Sequence, residues 1–194
     1  MSESEGTIGT EELGVLVITS GITDHLVTQL INYSNNDESV VKNTSDKKRF
    51  KDQSTYNEWL KKGRKIFTLT DKEQNLLGIM WYGKEEMPRE AKYIEGIDTS
   101  QYNYTFAIRL YGRARGQRLA GKFMKATFDI FMKSSPVDFR GLWLETSADN
   151  TVAVKAYKSS RFKEASTPSE GNRILMVRPR GVGTEGFGPP TSSM

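Results

Sequence analysis

The sequence predicts a mixed α/β domain, a central sheet with helices on both faces. Three observations carry that prediction. Short runs alternate apolar and polar residues at the period of a strand, as where Phe106, Ile108 and Leu110 alternate with Ala107 and Arg109. Other stretches have helical period: Leu119, Phe123, Ala126 and Ile130 form an apolar stripe, and Lys122, Lys125, Asp129 and Lys133 a polar one. The two kinds of run also interleave, in the order strand, two helices, three strands, helix, strand, helix, two strands.

Length and composition set the frame. A chain of 194 residues is one domain with enough material for a real core. The net charge is only +4, and the basic residues are clustered, which points to a local anion site rather than to a coat for nucleic acid. The absence of cysteine excludes disulfides, thiolate metal sites and a cysteine nucleophile. A single histidine, His25, makes neither a histidine metal centre nor a Ser-His-Asp triad, so no metal is expected. No apolar run approaches the ~18 residues of a membrane span and no signal peptide is visible, so no membrane association and a cytoplasmic location are expected.

The elements follow in order. Residues 1–12 are small and acidic and read as a disordered leader. Leu13 to Thr19 is an apolar strand, and Ser20 to Asp24 open a helix that buries Leu26, Val27, Leu30 and Ile31. Asn35 to Gln53 is a polar segment with the basic cluster Lys47, Lys48, Arg49 and Lys51, a partly helical loop or, alternatively, a lid that shapes the substrate site. Ser54 or Thr55 caps a short helix carrying Tyr56, Trp59 and Leu60. Lys65 to Thr70 and Leu76 to Tyr82 form a hairpin about the turn at Asp71 to Asn75. Gly83 to Asn103 is a long acidic connection, a solvated surface or, if it overhangs the site, a feature favouring a cationic substrate. After the central strand and helix come a strand at Gly141 to Thr146, a helix opened by Asn150, and strands at Arg161 to Glu164 and Arg173 to Arg178. The folded domain thus spans 13–178, and 179–194 is a flexible Gly- and Pro-rich tail.

The chemistry centres on residues 106–126, where a strand breaks at Gly112 and turns into a helix at Leu119. Such a turn leaves backbone N–H groups unpaired at the positive end of a helix dipole, an anion site before any side chain is counted. Arg113, Arg115, Arg118, Lys122 and Lys125 crowd the same place, so a phosphorylated cofactor is the expected ligand. There is no Gly-x-Gly-x-x-Gly here. Gly116 to Lys122 reads Gly-x-x-x-x-Gly-Lys, but Phe123 stands where a P-loop needs the hydroxyl that binds Mg²⁺.

Arg115-Gly116-Gln117-Arg118-Leu119-Ala120 resembles motif A of the GNAT superfamily of acyl-CoA-dependent N-acyltransferases, with Arg118 in place of the central glycine. A second stretch, with Asn150, Ala153, Tyr157 and Phe162, resembles motif B of the same superfamily, Arg161 replacing the usual glycine. Glu145 on the preceding strand is similar to a carboxylate of the ribosomal-protein N-terminal acetyltransferase branch that serves as general base. The order of elements is also that of the GNAT fold. The resemblance implies acetyl-CoA as cosubstrate, held by the backbone of Ile108, Arg109 and Leu110 along its pantetheine arm and by Arg115, Gly116, Gln117, Arg118, Leu119 and Ala120 at its pyrophosphate. Asn150 and Tyr157 lie two helical turns apart on the side implied to face the cofactor. Glu145 as base and Tyr157 as general acid complete the implied site, with transfer of acetyl directly to a primary amine of a protein or small molecule. Arg118 leaves a second reading open, a non-catalytic acyl-CoA-binding regulatory module. Neither the acceptor amine nor the oligomeric state follows from the sequence.

Overall fold

The computed structural model describes residues 4–166 and 172–180, built on one eight-stranded sheet in the order β1-β2-β3-β4-β5-β6-β8-β7. Its elements are β1 (Ser4–Thr10), β2 (Gly14–Ser20), α1 (Asp24–Asn36), α2 (Glu38–Asn43), α3 (Asp46–Arg49), α4 (Gln53–Leu60), β3 (Lys65–Thr70), β4 (Leu76–Lys84), β5 (Tyr104–Leu110), α5 (Leu119–Lys133), β6 (Gly141–Ser147), α6 (Thr151–Ser159), β7 (Lys163–Glu164) and β8 (Arg173–Pro179). Neighbouring strands are antiparallel, except that β5 and β6 are parallel.

The two faces of the sheet are buried by different helices, as the alternating strands require. One face meets α5 and α6: Leu119, Phe123, Met124, Phe128, Phe131 and Tyr157 pack against Leu16, Phe67, Met80, Tyr82, Phe106 and Leu144. The other meets α1 to α4, where Leu26, Leu30, Val40, Phe50 and Trp59 cover Ile66, Ile79, Trp81 and Tyr111. The long connection from β4 to β5 lays Met87, Ala91 and Tyr102 on Trp143, Leu175 and Val177.

Three expectations are corrected. The acidic leader is a strand: β1 pairs with β2 from Ser4 to Thr10, and Ile8 and Leu13 pack on the main core. Its β-branched Thr7, Ile8 and Thr10 suit a strand, Leu13 N–H donates to Thr10 Oγ1 at 3.0 Å, and a Cβ at Gly9 would lie 2.6 Å from the Gly14 carbonyl oxygen. The segment 35–53 is largely helical, because Asp37 caps α2 and a fully buried Phe50 meets Trp59 edge-on at 4.9 Å. The cap of α4 is Asp52, not Ser54 or Thr55: its carboxylate accepts from Thr55 N–H at 2.9 Å while Thr55 Oγ1 accepts from Asp52 N–H at 3.1 Å. The start of the leader (1–3), residues 167–171 of the β7–β8 connection and the tail from 181 lie outside the described residues.

Candidate active site

Strands β5 and β6 are joined by only two residue pairs, Tyr104 with Leu142 and Thr105 with Trp143. Beyond them the ladder stops while both strands continue, β5 to Leu110 and β6 to Ser147, and a gap opens in the middle of the sheet. Which backbone groups of β5 face that gap follows from antiparallel alternation. Tyr111 N–H donates to Leu77 O on the β4 side, so odd-numbered residues pair with β4, and the N–H and C=O groups of Ile108 and Leu110 point into the gap. Arg109 pairs with Ile79 of β4, so its backbone faces away. Both gap-side carbonyls already accept from arginines: Ile108 O from Arg109 Nη1 and Leu110 O from Arg115 Nε, each at 2.9 Å. Each oxygen retains a second lone pair, and the two N–H groups are donors aimed at the gap.

Beyond Leu110 the chain turns through Gly112 and Gly116, both with positive φ (45° and 78°), into α5. Among the described residues, none of the N–H groups from Gly116 to Gly121 donates to a protein acceptor. Six successive amides at the start of a 15-residue helix are a row of donors at the positive end of its dipole, a geometry suited to an anion. A Cβ built at Gly116 or Gly121 meets nothing within 4 Å, so this row opens outward. Arg118, the N-cap of α5, has φ 54° and ψ 24°. The motif glycine that it replaces therefore stands at a left-handed position, where glycine carries no steric cost.

The cations of the turn divide in a way that charge counting does not reveal. Arg113 pairs with Asp71, which the β3–β4 turn also holds through Asn75 N–H and Nδ2, both at 2.8 Å. Arg115 makes two bonds to Asp37, at 3.0 and 2.8 Å, while that carboxylate caps α2. Lys122 donates to Gly9 O at 2.7 Å, and Gln117 donates to Glu12 from the tip of the β1–β2 hairpin. Among the described residues, Arg118 and Lys125 make no ion pair and are exposed to an approaching anion. Burial opposes the charge of Asp37 and Asp71, yet hydrogen bonds from Arg115 and Val40 N–H to the first, and from Asn75 and Arg113 to the second, hold both below the usual carboxylate value. The loop is thus pinned by carboxylates from three other elements. Nothing in the spacing of the motif signals them, although Asp37 and Asp71 sit at cap and turn positions that are visible locally.

Leu119 is buried at the first turn of α5, with Ala120 half-buried beside it. Asn150 is the N-cap of α6, its Oδ1 accepting from Ala153 N–H at 3.2 Å, which leaves its NH₂ group for other partners. Tyr157 lies in the last turns of the same helix, 91% buried, edge-on to Phe106 at 5.8 Å. Burial raises its phenol above the ordinary 10, with the charge of Arg109 acting the other way, so it is protonated at neutral pH. Glu145 lies on the opposite face. Leu142 and Leu144 share the core with Tyr157, Trp143 does not, and Glu145 follows Trp143 in the alternation. Its carboxylate is part-exposed, 3.5 Å from Arg173. Glu145 and Tyr157 thus lie on opposite faces of the sheet, on the β6 side of the gap between β5 and β6. Arg109 shares Glu145's face, where its side chain donates two bonds to the fully buried Asp46 of α3, at 2.6 and 3.1 Å, and lies 5.2 Å from the Trp81 ring centroid.

No protein-family model matches the sequence, and no curated protein matches it as a relative. Solved structures do resemble it. The aminoglycoside acetyltransferase AAC(6')-Ib, in complex with coenzyme A and kanamycin, aligns with a TM-score of 0.62 at 15% identity over 84% of this chain and 95% of that one. The spermidine N-acetyltransferase of Vibrio cholerae, in complex with CoA and spermine, aligns with a TM-score of 0.63 at 16% identity, again over 84% and 95%. The GNAT domain of S. lividans PAT aligns with a TM-score of 0.62 at 11% identity over 90% and 96%. Identities this low speak for architecture: the chain has the GNAT acetyltransferase fold.

Proposed function

We propose that the protein is an N-acetyltransferase that moves the acetyl group of acetyl-CoA directly to a primary amine. The observation that carries this reading is the row of unpartnered amides from Gly116 to Gly121 at the mouth of the gap between β5 and β6. A diphosphate fits that cradle, with Arg118 as its free cation. The amides of Ile108 and Leu110 offer the next donors inward, suited to the amide-bearing arm that joins a diphosphate to a thiol in CoA. Similarity in fold to enzymes whose structures hold CoA supports the same assignment.

The thioester supplies an activated acetyl group; the chain supplies protons and orientation. An alkyl ammonium with a pKa near ~10 must lose a proton before its nitrogen can attack. Glu145, open to solvent on one face, accepts that proton, directly or through a water. The Leu110 N–H, pointing into the gap, stabilises charge on the carbonyl oxygen as the N–C bond forms. Tyr157, held protonated by burial, gives its proton to the departing sulfur as the C–S bond breaks. The products are an acetamide and free CoA, and no acyl-enzyme forms on cysteine because the chain has none.

Acetyl-CoA titration with and without an amine panel, followed by release of free thiol, tests the whole reading. Binding with turnover supports it, and binding without turnover on any amine favours the regulatory module that Arg118 suggests. Tyr157→Phe and Glu145→Gln should each lower kcat by about a hundredfold or more while leaving acetyl-CoA affinity within about twofold. Full kcat in both variants would remove these two residues from the chemistry.

A further inference from the structure

The charge around the gap bears on which amine is taken. On the face that carries Glu145, the wall beside β5 is α3. Asp46, the first residue of α3, is fully buried and bonded to Arg109 at 2.6 and 3.1 Å, so this short helix is fixed to the part of β5 that has separated from β6. Lys47, Lys48, Arg49 and Lys51 follow, all exposed. The carboxylates among them do not balance that charge. Asp46 is shared between Arg109 and Arg49, the latter at 3.0 Å, and Asp52, exposed at the cap of α4, offsets only one of the four cations. Beside Glu145 itself stands Arg173.

The other wall is the connection between β4 and β5, which packs on Trp143, Leu175 and Val177. Its acidity was the feature that could favour a cationic substrate, but its charges are largely answered. Glu85 pairs with Arg64 and Glu86 with Arg140, while Asp98, held by Ser100 N–H at 3.0 Å and Ser100 Oγ at 2.6 Å, keeps its charge. The exposed Glu90 and Glu95 are offset by Arg89 and Lys92 in the same segment. The rim therefore carries net positive charge, concentrated on α3. A polycation such as the kanamycin or spermine seen in the structures of similar fold would meet the basic cluster of α3, where cations outnumber the carboxylates Asp46 and Asp52.

We infer that the acceptor is an anionic amine: a primary amine whose own carboxylates are drawn to Lys47, Lys48, Arg49 and Lys51 while its nitrogen reaches Glu145. Acidic amino acids, free or at the N-terminus of a peptide, have this chemistry. The inference rests on the acetyltransferase reading for its reaction, but the charge preference is measurable without turnover.

The test uses matched acceptors on the full chain: aspartate against asparagine amide, a peptide headed by Asp-Glu against one headed by Asn-Gln, with spermidine and kanamycin as polycations. Each is titrated onto CoA-loaded protein and assayed for thiol release with acetyl-CoA. The anionic member of each pair should be favoured by about tenfold in affinity and in kcat/KM, with the preference shrinking as salt rises from about 0.05 to about 0.5 M. The free amino acid and the peptide arms separate the two sources of the same chemistry. A Lys47→Glu, Lys48→Glu, Lys51→Glu triple variant should abolish the preference through KM, with acetyl-CoA affinity and unfolding midpoint unchanged. Equal affinity within the pairs, or tighter binding of the polycations, overturns the inference. Charge-selective binding with no acetylation of any amine upholds the anion-selective rim and sinks acetyl transfer instead.

Discussion

At the scale of a single residue, Arg118 shows how a motif substitution can be read once its backbone angles are known. Sequence comparison makes it a lost glycine. The structure places it at φ 54°, and a left-handed backbone costs an L-residue about 1–2 kcal/mol. Arg118→Gly should therefore stabilise the protein by about 1 kcal/mol after the entropy of glycine is deducted, raising the unfolding midpoint by about 2–4 °C. The same change removes the free guanidinium beside the amide cradle. Acetyl-CoA affinity should fall by less than about tenfold, and the loss should be larger at low salt than at high salt. The six amides of the proposed anion site are backbone groups and survive the substitution. Thermal unfolding with and without acetyl-CoA separates the two effects, and a lower midpoint in the ligand-free variant would contradict the strain argument.

At the scale of the element, regular period was what the sequence could reveal. The stripe of Leu119 and Phe123 located α5, and alternation located β5, because a face buried on one side writes itself into the residues at that spacing. β1 was missed for the converse reason: an edge strand that is mostly exposed or half-buried has little apolar pattern to show, and its acidic composition resembles a tail. The strand-to-helix turn proposed to hold an anion was legible since its glycines and helix start are local. The partners that hold it were not, because Asp37 and Arg115 are 78 residues apart, and Asp46 and Arg109 are 63. The second pair tests how α3 is attached. Asp46→Ala leaves Arg109 facing the sheet with no counter-charge and should cost about 3 kcal/mol or more in chemical denaturation. Replacing both by apolar residues of similar size, Asp46→Leu with Arg109→Met, should restore much of that loss. If the single variant proves as stable as the parent, the pair does not anchor α3.

At the scale of the whole molecule, the candidate site is where separately packed layers meet. α5 and α6 bury one face of the sheet and α1 to α4 the other, and the turn from Gly112 to Arg118 is tied to both sides and to the β1–β2 hairpin. The two ties made by carboxylates of depressed pKa, Asp37 and Asp71, give the fold an acid dependence of known sign. Each stays charged in the folded protein below its ordinary value of 3.8, where the unfolded chain has begun to take up protons. Their stabilisation is thus fully present above about pH 5 and is lost as pH falls past 3.8 through the lower folded values. Neutral pH down to about 5 should leave their contribution untouched. Denaturant unfolding of the parent and of an Asp37→Asn, Asp71→Asn double variant checks this. The double variant should be less stable at pH 7 and should lose less stability between about pH 4 and 2, so that the two curves converge in acid. Parallel curves across that window would mean that neither carboxylate titrates differently on folding, and that the clamp on this turn is not what makes the protein sensitive to acid.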